Sequence, residues 1–225
     1  MNIKAVIFDI DGTFYPNWRM NLMTFPVVLR NIRLFSAFAT VRKELRLMPD
    51  KHVDNFYEIQ ADLTAKKLGL PVDQVMKKIE SDIYTEWTAS LKRVKPFDNV
   101  RNVIVELQNR GFKTACLSDF PILDKLKYFG LDDLFENSAY TCEACGHLKP
   151  HPDAYSYVME KVGVKPEEIL YVGNSYQYDI LGSKKAGMYA AHISKKEIDG
   201  DVKADFTFKN YYEFISKFDN LIKGV

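Results

Sequence analysis

The chain has 225 residues, of which 47% are hydrophobic and 27% are charged, and its formal net charge is +1. This composition is typical of a globular protein and excludes disordered and collagen-like chains. The small net charge does not indicate a polyanionic partner, so we predict no nucleic-acid binding. An odd number of cysteines, three, favours a reducing, cytoplasmic location over a disulfide-stabilised fold.

The apolar run at the N-terminus is short and contains Asp9, unlike the apolar region of a signal peptide. No stretch reaches the roughly 18 apolar residues that a membrane span requires. We therefore predict no membrane partner. The sequence does not indicate an oligomeric state.

Four short apolar runs have the length and composition of strands that are buried in a parallel sheet. These runs cover residues 4–9, 112–117, 169–172 and 189–193. Helix-period segments over residues 100–109, 152–162 and 180–186 lie between them, and each ends within two residues of a glycine, the usual helix stop. The alternation predicts an α/β core with a doubly wound, Rossmann-like parallel sheet.

Residues 16–94 break this alternation because they contain helical periodicity and no strand pattern. Apolar residues recur there at steps of three and four, as in Phe56, Ile59 and Leu63, and again in Val75, Ile79, Ile83 and Trp87. We predict an all-helical cap over residues 16–94, inserted into a core that is formed by residues 1–15 and 95–225.

The first part of the predicted cap is basic, since residues 16–47 contain six arginine or lysine residues and one glutamate. Three interpretations are open: a solvated helix face, a surface that attracts an anionic substrate, or a basic helix that docks on a membrane surface. The sequence favours the solvated face.

The segment Asp9-Ile-Asp11-Gly12-Thr13 directly follows the first predicted strand. Ligands bind at the carboxyl ends of strands in open α/β sheets, so chemistry is expected here. Alternation along an extended chain turns Asp9 and Asp11 the same way, and Gly12 permits a sharp turn after them. Two such carboxylates repel each other unless a cation lies between them. Alone, the segment fits a solvated strand end as well as a catalytic pair.

Three further polar segments follow in order beside expected strand ends: Ser118-Asp119, Lys149-Pro150, and Gly173-Asn174-Ser175 with Asp179. Each has an ordinary structural interpretation. Ser118 could cap a helix that starts near Pro121, and Lys149 could be a solvated surface group. The order of all four segments is therefore more informative than any one of them.

In this order the segments resemble the motifs of the haloacid dehalogenase-like hydrolase superfamily, in particular its phosphatase-type members with a helical cap after the first motif. The resemblance covers essentially the whole chain apart from details of the cap. It implies that Asp9 is the nucleophile and Asp11 the general acid and base, with Ser118 and Lys149 completing the catalytic set. It also implies phosphate binding by Gly12, Thr13, Ser118, Asp119 and Lys149, and Mg²⁺ binding by Asp9, Asp11, Asn174 and Asp179.

The resemblance implies Mg²⁺-dependent hydrolysis of a small phosphorylated metabolite through a phospho-aspartyl intermediate. The alternatives are a phosphomutase, a dehalogenase that uses Asp9, or a non-catalytic binding homologue. Asp11 argues against a dehalogenase, because a halide leaves without a proton. Asn174 stands where the superfamily usually has aspartate, which predicts weaker Mg²⁺ binding.

Cys142-Glu-Ala-Cys145-Gly-His147 resembles one half of a zinc site, but no second pair of ligands is recognised at a suitable spacing. A structural loop near Lys149 is the favoured interpretation. Cys116 lies in a predicted strand and is expected to be buried. No partners are identified for His52, His151 and His192, so surface or packing roles are predicted for them.

Overall fold

The computed structural model describes residues 1–48, 55–196 and 200–224. Over these residues a six-stranded parallel sheet has the strand order β3-β2-β1-β4-β5-β6. The strands are β1 (Ala5–Phe8), β2 (Lys113–Ser118), β3 (Ala139–Thr141), β4 (Ile169–Gly173), β5 (Tyr189–Ile193) and β6 (Phe206–Phe208). This is the order of a doubly wound Rossmann-like sheet, so the predicted fold class is confirmed.

Helices cover both faces of the sheet: α6 (Val100–Asn109), α7 (Leu123–Phe129), α8 (Pro152–Val162), α9 (Leu181–Lys185) and α10 (Tyr211–Lys223). Helices α6 and α8 have the predicted bounds. The helix predicted over residues 180–186 begins instead as a π-helical turn, Tyr176–Ile180, and continues as α9. Helix α10 and the edge strands β3 and β6 lie outside the predicted elements.

Strand β1 is buried on both faces, as its continuous apolar sequence predicts. Val6 and Phe8 belong to the hydrophobic cluster that contains Phe214 of α10, while Ala5 and Ile7 belong to the opposite cluster with α8. Each fully buried large apolar side chain contributes about 1.5–3 kcal/mol to the free energy of unfolding. Polar residues of this segment are therefore confined to the end of the strand, where Asp9 lies.

The helices between β1 and α6, here called the inserted helices, are α1 (Asn17–Arg30), α2 (Ile32–Leu47), α3 (Phe56–Leu68), α4 (Val72–Lys78) and α5 (Thr88–Ser90). A π-helical segment, Ile79–Trp87, joins α4 to α5. These elements enclose a separate hydrophobic cluster made of Leu34, Phe38, Ala61, Ala65, Val75, Ile79 and Ile83. The described part of 16–94 contains no strand. The division into a core and a cap over 16–94 stays a prediction.

The basic residues of the inserted helices do not form one solvated face. Arg30 forms an ion pair with Glu86, whereas Arg42 is buried and Arg46 is nearly so. The solvent side of α1 is apolar, since more than half of each of Trp18, Leu22, Phe25 and Leu29 is exposed.

Within the described residues, no single helix is both long and apolar enough to cross a membrane. Helices α1 and α2 meet that criterion only when taken together, and they are bent by 114° at their junction.

Candidate active site

The residues that follow β1, β2 and β4 meet at one edge of the sheet, because β1 pairs with both of the other strands. Asp9 follows β1, Ser118 ends β2, and Asn174 follows β4. The Asp9 N–H still donates to the Val172 carbonyl oxygen at 2.9 Å, so sheet pairing holds the backbone of Asp9 in place. The chain runs from β1 to β2 and β3 on one side of β1, and β4 to β6 lie on its other side. The strand order therefore reverses at β1, which makes this edge the topological switch point of the sheet.

Asp9, Lys149 and Asp179 form a buried ionic cluster. The Lys149 Nζ atom lies 2.8 Å from Asp9 Oδ1 and 2.7 Å from Asp179 Oδ1. It also donates to the Tyr171 hydroxyl at 3.1 Å. Asp179 Oδ2 accepts a hydrogen bond of 2.9 Å from the Ser175 N–H. The structure thus brings together three of the predicted site residues from distant parts of the sequence.

The protonation of Asp9 is set by burial and by its charged neighbours. Burial raises its pKa; Lys149 opposes this effect, and the negative charges of Asp179 and Asp11 add to it, so that the pKa rises to about 7. Burial lowers the pKa of Lys149, but Asp179 and Asp9 outweigh it and hold that pKa well above its ordinary value. Lys149 is therefore positively charged at neutral pH.

Asp11 lies in a different set of contacts. Lys125 Nζ is 2.7 Å from Asp11 Oδ1 and 2.6 Å from Oδ2, and Ser118 Oγ donates to Oδ2 at 3.0 Å. The Tyr15 hydroxyl donates to Oδ1. Burial acts to raise the pKa of Asp11, but the charge and hydrogen bonds of Lys125 lower it below its ordinary value. Asp11 is therefore held as a carboxylate in this arrangement.

Lys125 is a functional residue that the sequence analysis misses. It lies on α7, is fully buried, and its Nζ atom is 5.1 Å from the Phe120 ring centroid and 5.6 Å from that of Trp87. Aromatic faces attract a cation at this range, which helps to hold the buried ammonium. In the sequence, the only indication that Lys125 is buried is its position directly before Leu126, an apolar residue of the core. This indication is too weak to identify a functional site.

Gly12 and Thr13 shape the turn after Asp9. Gly12 has φ of 95°, and a Cβ atom at this position would lie 2.3 Å from Asn174 Nδ2. Other residues are thus excluded by both conformation and space. Thr13 Oγ1 donates to Asp9 Oδ2 at 2.9 Å and also lies 3.3 Å from Asn174 Oδ1. Thr13 therefore lies between the side chains of Asp9 and Asn174.

Asp119 supports the loop that carries Lys149. Its Oδ1 accepts a hydrogen bond of 3.0 Å from the Lys149 N–H, and its Oδ2 lies 2.6 Å from Arg46 Nη1. Burial acts to raise its pKa, but Arg46 and then Lys149 outweigh burial and lower the pKa to about 2. An ionised carboxylate repels an anionic phosphate, so these contacts do not support phosphate binding by the Asp119 side chain, and its predicted role stays a prediction.

The predicted metal ligands Asp9, Asp11, Asn174 and Asp179 fit a hard divalent cation. The three carboxylates of this set face two lysine ammonium groups, Lys149 and Lys125, so acids exceed bases by one in the buried site. Carboxylate, amide and backbone oxygens are the ligands that Mg²⁺ prefers. A cation here would also oppose the burial and the carboxylate repulsion that raise the pKa of Asp9.

The cysteine and histidine predictions have mixed outcomes. Cys116 is buried, as expected, and Cys142–Cys145 forms a short 3₁₀ helix near Lys149. His52 lies outside the described residues, whereas the other two histidines, for which the sequence identifies no partner, do have contacts. His192 Nε2 lies 3.0 Å from the Asn174 carbonyl oxygen, and the ring of His151 stacks on that of His147.

The fold and the site define an α/β enzyme that carries an aspartate–lysine pair at the carboxyl end of its first strand. The chain belongs to the haloacid dehalogenase-like hydrolase family, whose model matches residues 3–187. The resemblance drawn from the four motifs is thereby confirmed.

Several known proteins are similar to this chain along its whole length. The glyceraldehyde 3-phosphate phosphatase of Methanocaldococcus jannaschii is 26% identical, over 98% of this chain and 99% of the relative. The crystal structure of a phosphatase of this family from Thermococcus onnurineus has a TM-score of 0.61 and 23% identity, covering 96% of this chain and 98% of that chain.

The L-2-haloacid dehalogenase of Xanthobacter autotrophicus has a TM-score of 0.68 and 21% identity, and 99% of each chain is covered. At these identities the two solved structures show a shared fold. They do not distinguish a phosphatase from a dehalogenase, so that choice depends on the site itself.

Proposed function

We propose that the protein is a Mg²⁺-dependent phosphatase that hydrolyses a small phosphorylated metabolite in the cytoplasm through a phospho-aspartyl intermediate on Asp9. The observation that carries this proposal is the placement of Asp9 Oδ1 2.8 Å from Lys149 Nζ, with a second aspartate, Asp11, two residues further on. The similarity to glyceraldehyde 3-phosphate phosphatase supports the substrate class.

Phosphate binding follows from the donors around Asp9. Lys149 and the hydroxyl groups of Ser118 and Thr13 lie beside the two aspartates and can hold the phosphate oxygens. Phosphoryl transfer depends chiefly on positioning and on stabilisation of spread negative charge, which these groups supply. Mg²⁺, held by Asp9, the Asp11 carbonyl oxygen, Asn174 and Asp179, would reduce the repulsion between the nucleophile and the anionic substrate.

In the first half-reaction an Asp9 carboxylate oxygen attacks phosphorus and forms an acyl phosphate. The bond from phosphorus to the ester oxygen breaks, and this leaving oxygen takes a proton from Asp11. In the second half-reaction the Asp11 carboxylate removes a proton from water as the water attacks phosphorus. Inorganic phosphate is released, and Asp9 returns to its initial state.

Lys125 controls the proton affinity of Asp11 in both half-reactions. Burial acts to raise the pKa of Asp11, but the charge of Lys125 lowers it and holds Asp11 as the carboxylate that acts as the base. The negative charge of a phosphorylated substrate beside Asp11 raises this pKa, so Asp11 takes up a proton from solvent before it acts as the acid. The second half-reaction returns a proton from water to Asp11, which releases it to solvent. The Lys125 Nζ atom lies 2.6 Å from Asp11 Oδ2. Lys125 thus acts through Asp11 and does not touch the substrate.

Asp11 favours a phosphatase over the alternative activities. A halide leaves without a proton, so a dehalogenase would not use a carboxylate that is hydrogen-bonded to Lys125, Tyr15 and Ser118. A phosphomutase would have to keep water from the phospho-enzyme, and a binding homologue would need none of these ion pairs. We infer that the inserted helices act as a cap that closes over the site and selects the substrate.

The direct test measures phosphate release from a panel of phosphorylated metabolites that includes glyceraldehyde 3-phosphate, with Mg²⁺ and with a chelator. A parallel assay measures halide release from an L-2-haloacid. We expect phosphate release that requires Mg²⁺ and no halide release. Halide release without phosphate release would establish the dehalogenase, and phosphate transfer between substrate positions without free phosphate would establish the mutase.

A further inference from the structure

The loop that carries Lys149 also brings together three potential metal ligands that the catalytic site does not use. His147 precedes Lys149, whereas His151 and Asp153 lie at the start of α8. Each offers one ligand atom, and these atoms lie within 4.8 Å of one another. Across residues 1–48, 55–196 and 200–224, this is the one group of three or more histidine, cysteine or acidic ligands that approach each other so closely.

The spacing within this group is near that of a coordination sphere. His147 Nε2 lies 3.6 Å from Asp153 Oδ2. Two ligands bound about 2.1 Å from a tetrahedral zinc ion are about 3.4 Å apart, so this pair is already almost at the required separation. The imidazole rings of His147 and His151 are stacked, with centroids 3.7 Å apart and planes within 9° of parallel. Because a bound metal lies near the plane of each imidazole ring, His151 must rotate out of this stack to complete the approach.

The nature of the ligands selects the type of metal. Two imidazole nitrogens and one carboxylate oxygen suit Zn²⁺ and its neighbours, whereas the all-oxygen site at Asp9 suits Mg²⁺. His147 is only 2% exposed and forms the inner wall, while the Asp153 side chain is 34% exposed. The group therefore opens to solvent on one side, where water can take a fourth position.

The present hydrogen bonds oppose metal binding only weakly. His151 Nδ1 accepts a hydrogen bond of 3.2 Å from the Asp153 N–H and so caps α8. Exchanging this bond for a metal bond loses one neutral hydrogen bond, which contributes little to stability. A cation near the helix N-terminus also meets the positive end of the helix dipole, but the Asp153 carboxylate offsets this repulsion. Bonds from a transition-metal ion to imidazole and carboxylate ligands contribute far more than one neutral hydrogen bond.

We propose that His147, His151 and Asp153 bind a transition-metal ion of the Zn²⁺ type, at a site separate from the Mg²⁺ site of the proposed phosphatase. Lys149 lies between His147 and His151 in the sequence. The ion would therefore link the residues on both sides of Lys149 to the first turn of α8, where Asp153 lies. This inference does not depend on the proposed function, since the ligands, the metal and the readout are different.

The test is a titration of the tag-free protein with Zn²⁺ in millimolar Mg²⁺, together with the visible spectrum of bound Co²⁺. The key variant is His151→Asn, because asparagine keeps an oxygen that can cap α8 but lacks the imidazole. We expect one Zn²⁺ per wild-type chain and at least about tenfold weaker binding by the variant. Zn²⁺ should raise the thermal midpoint of the wild type but not of the variant.

Two controls separate loss of the site from misfolding and from a cysteine site. His151→Asn should match the wild type in thermal midpoint and in Mg²⁺-dependent phosphate release when Zn²⁺ is absent. Cys145→Ser should keep the metal. Undiminished Zn²⁺ binding by His151→Asn, or loss of binding in Cys145→Ser with retention in His151→Asn, would overturn the assignment.

Discussion

Arg46 of α2 and Asp119 after β2 form an ion pair of 2.6 Å that connects the inserted helices to the sheet. Arg46 also donates to the Lys149 carbonyl oxygen, and Asp119 accepts from the Lys149 N–H. The Arg46 guanidinium stacks over the Tyr178 ring, 4.3 Å from its centroid. One pair of residues thus contacts both the N–H and the carbonyl oxygen of Lys149.

This pair predicts a pH-dependent contribution to stability. The folded-state pKa of Asp119 is lowered to about 2, so its stabilisation is present above the unfolded pKa, near 3.9, and is lost as pH falls toward 2. We expect Asp119→Asn to lower the free energy of unfolding by about 1–3 kcal/mol near pH 7. The difference in free energy of unfolding between wild type and variant should shrink below about pH 4. Urea unfolding of both proteins, near neutral pH and below about pH 4, measures this difference.

Asp133→Asn is the matched control, because Asp133 pairs with Arg101 and both side chains are about half exposed, at 57% and 47%. An exposed pair contributes only about 0–1 kcal/mol, so this variant should change little at either pH. A pH-independent loss in Asp119→Asn would show that the ion pair does not carry the effect.

The nucleophile is tested by Asp9→Asn. An amide cannot attack phosphorus, so phosphate release should fall below detection. The amide is nearly isosteric and Lys149 keeps its 2.7 Å contact with Asp179, so the thermal midpoint should shift by only a few degrees. Asp98→Asn, at an exposed aspartate, should keep full activity. Turnover by Asp9→Asn above a tenth of the wild-type value would assign the nucleophile to another group.

The role of Lys125 is tested by Lys125→Met. Burial raises the pKa of Asp11 and Lys125 lowers it, so without the ammonium group the pKa of Asp11 should rise. The acidic limb of the pH profile of phosphate release, where Asp11 must be ionised to act as the base, should therefore move to higher pH. Lys127→Met changes an exposed lysine on the same helix and should leave the profile unchanged. A lower rate with an unshifted profile would reduce Lys125 to a packing role.

The metal site is tested by Asn174→Asp. Attraction between unit charges 4 Å apart is about 4 kcal/mol at an effective dielectric of 20, and dehydration offsets most of it. The added carboxylate should therefore improve Mg²⁺ binding by roughly 1–2 kcal/mol, or about 5–30-fold. Titration of both phosphate release and the thermal midpoint with Mg²⁺ measures this change. An unchanged half-saturating concentration would mean that Asn174 does not contact the metal.

The family follows from the sequence alone, and so does the meeting of most candidate site residues at one edge of the sheet. Asp9, Ser118 and Asn174 each follow a run of apolar residues that can only be a buried strand, and parallel strands bring their carboxyl ends to one edge. The same local reasoning predicts β1, β2, β4 and β5, together with α6 and α8. The edge strands β3 and β6 have three residues each, too few for a recognisable period, and they form only because β2 and β5 are beside them.

Only the tertiary structure shows what controls the reacting groups. Lys125 is separated from Asp11 by 114 residues, and Arg46 from the Lys149 carbonyl by 103. Contacts of this kind depend on how the helices pack against the sheet. The local spacing of apolar and polar residues does not predict them. His147, His151 and Asp153 differ in that they are close in the sequence. Their spacing shows only two histidines and an acid around a lysine, and the structure shows that the turn of the chain brings their ligand atoms together.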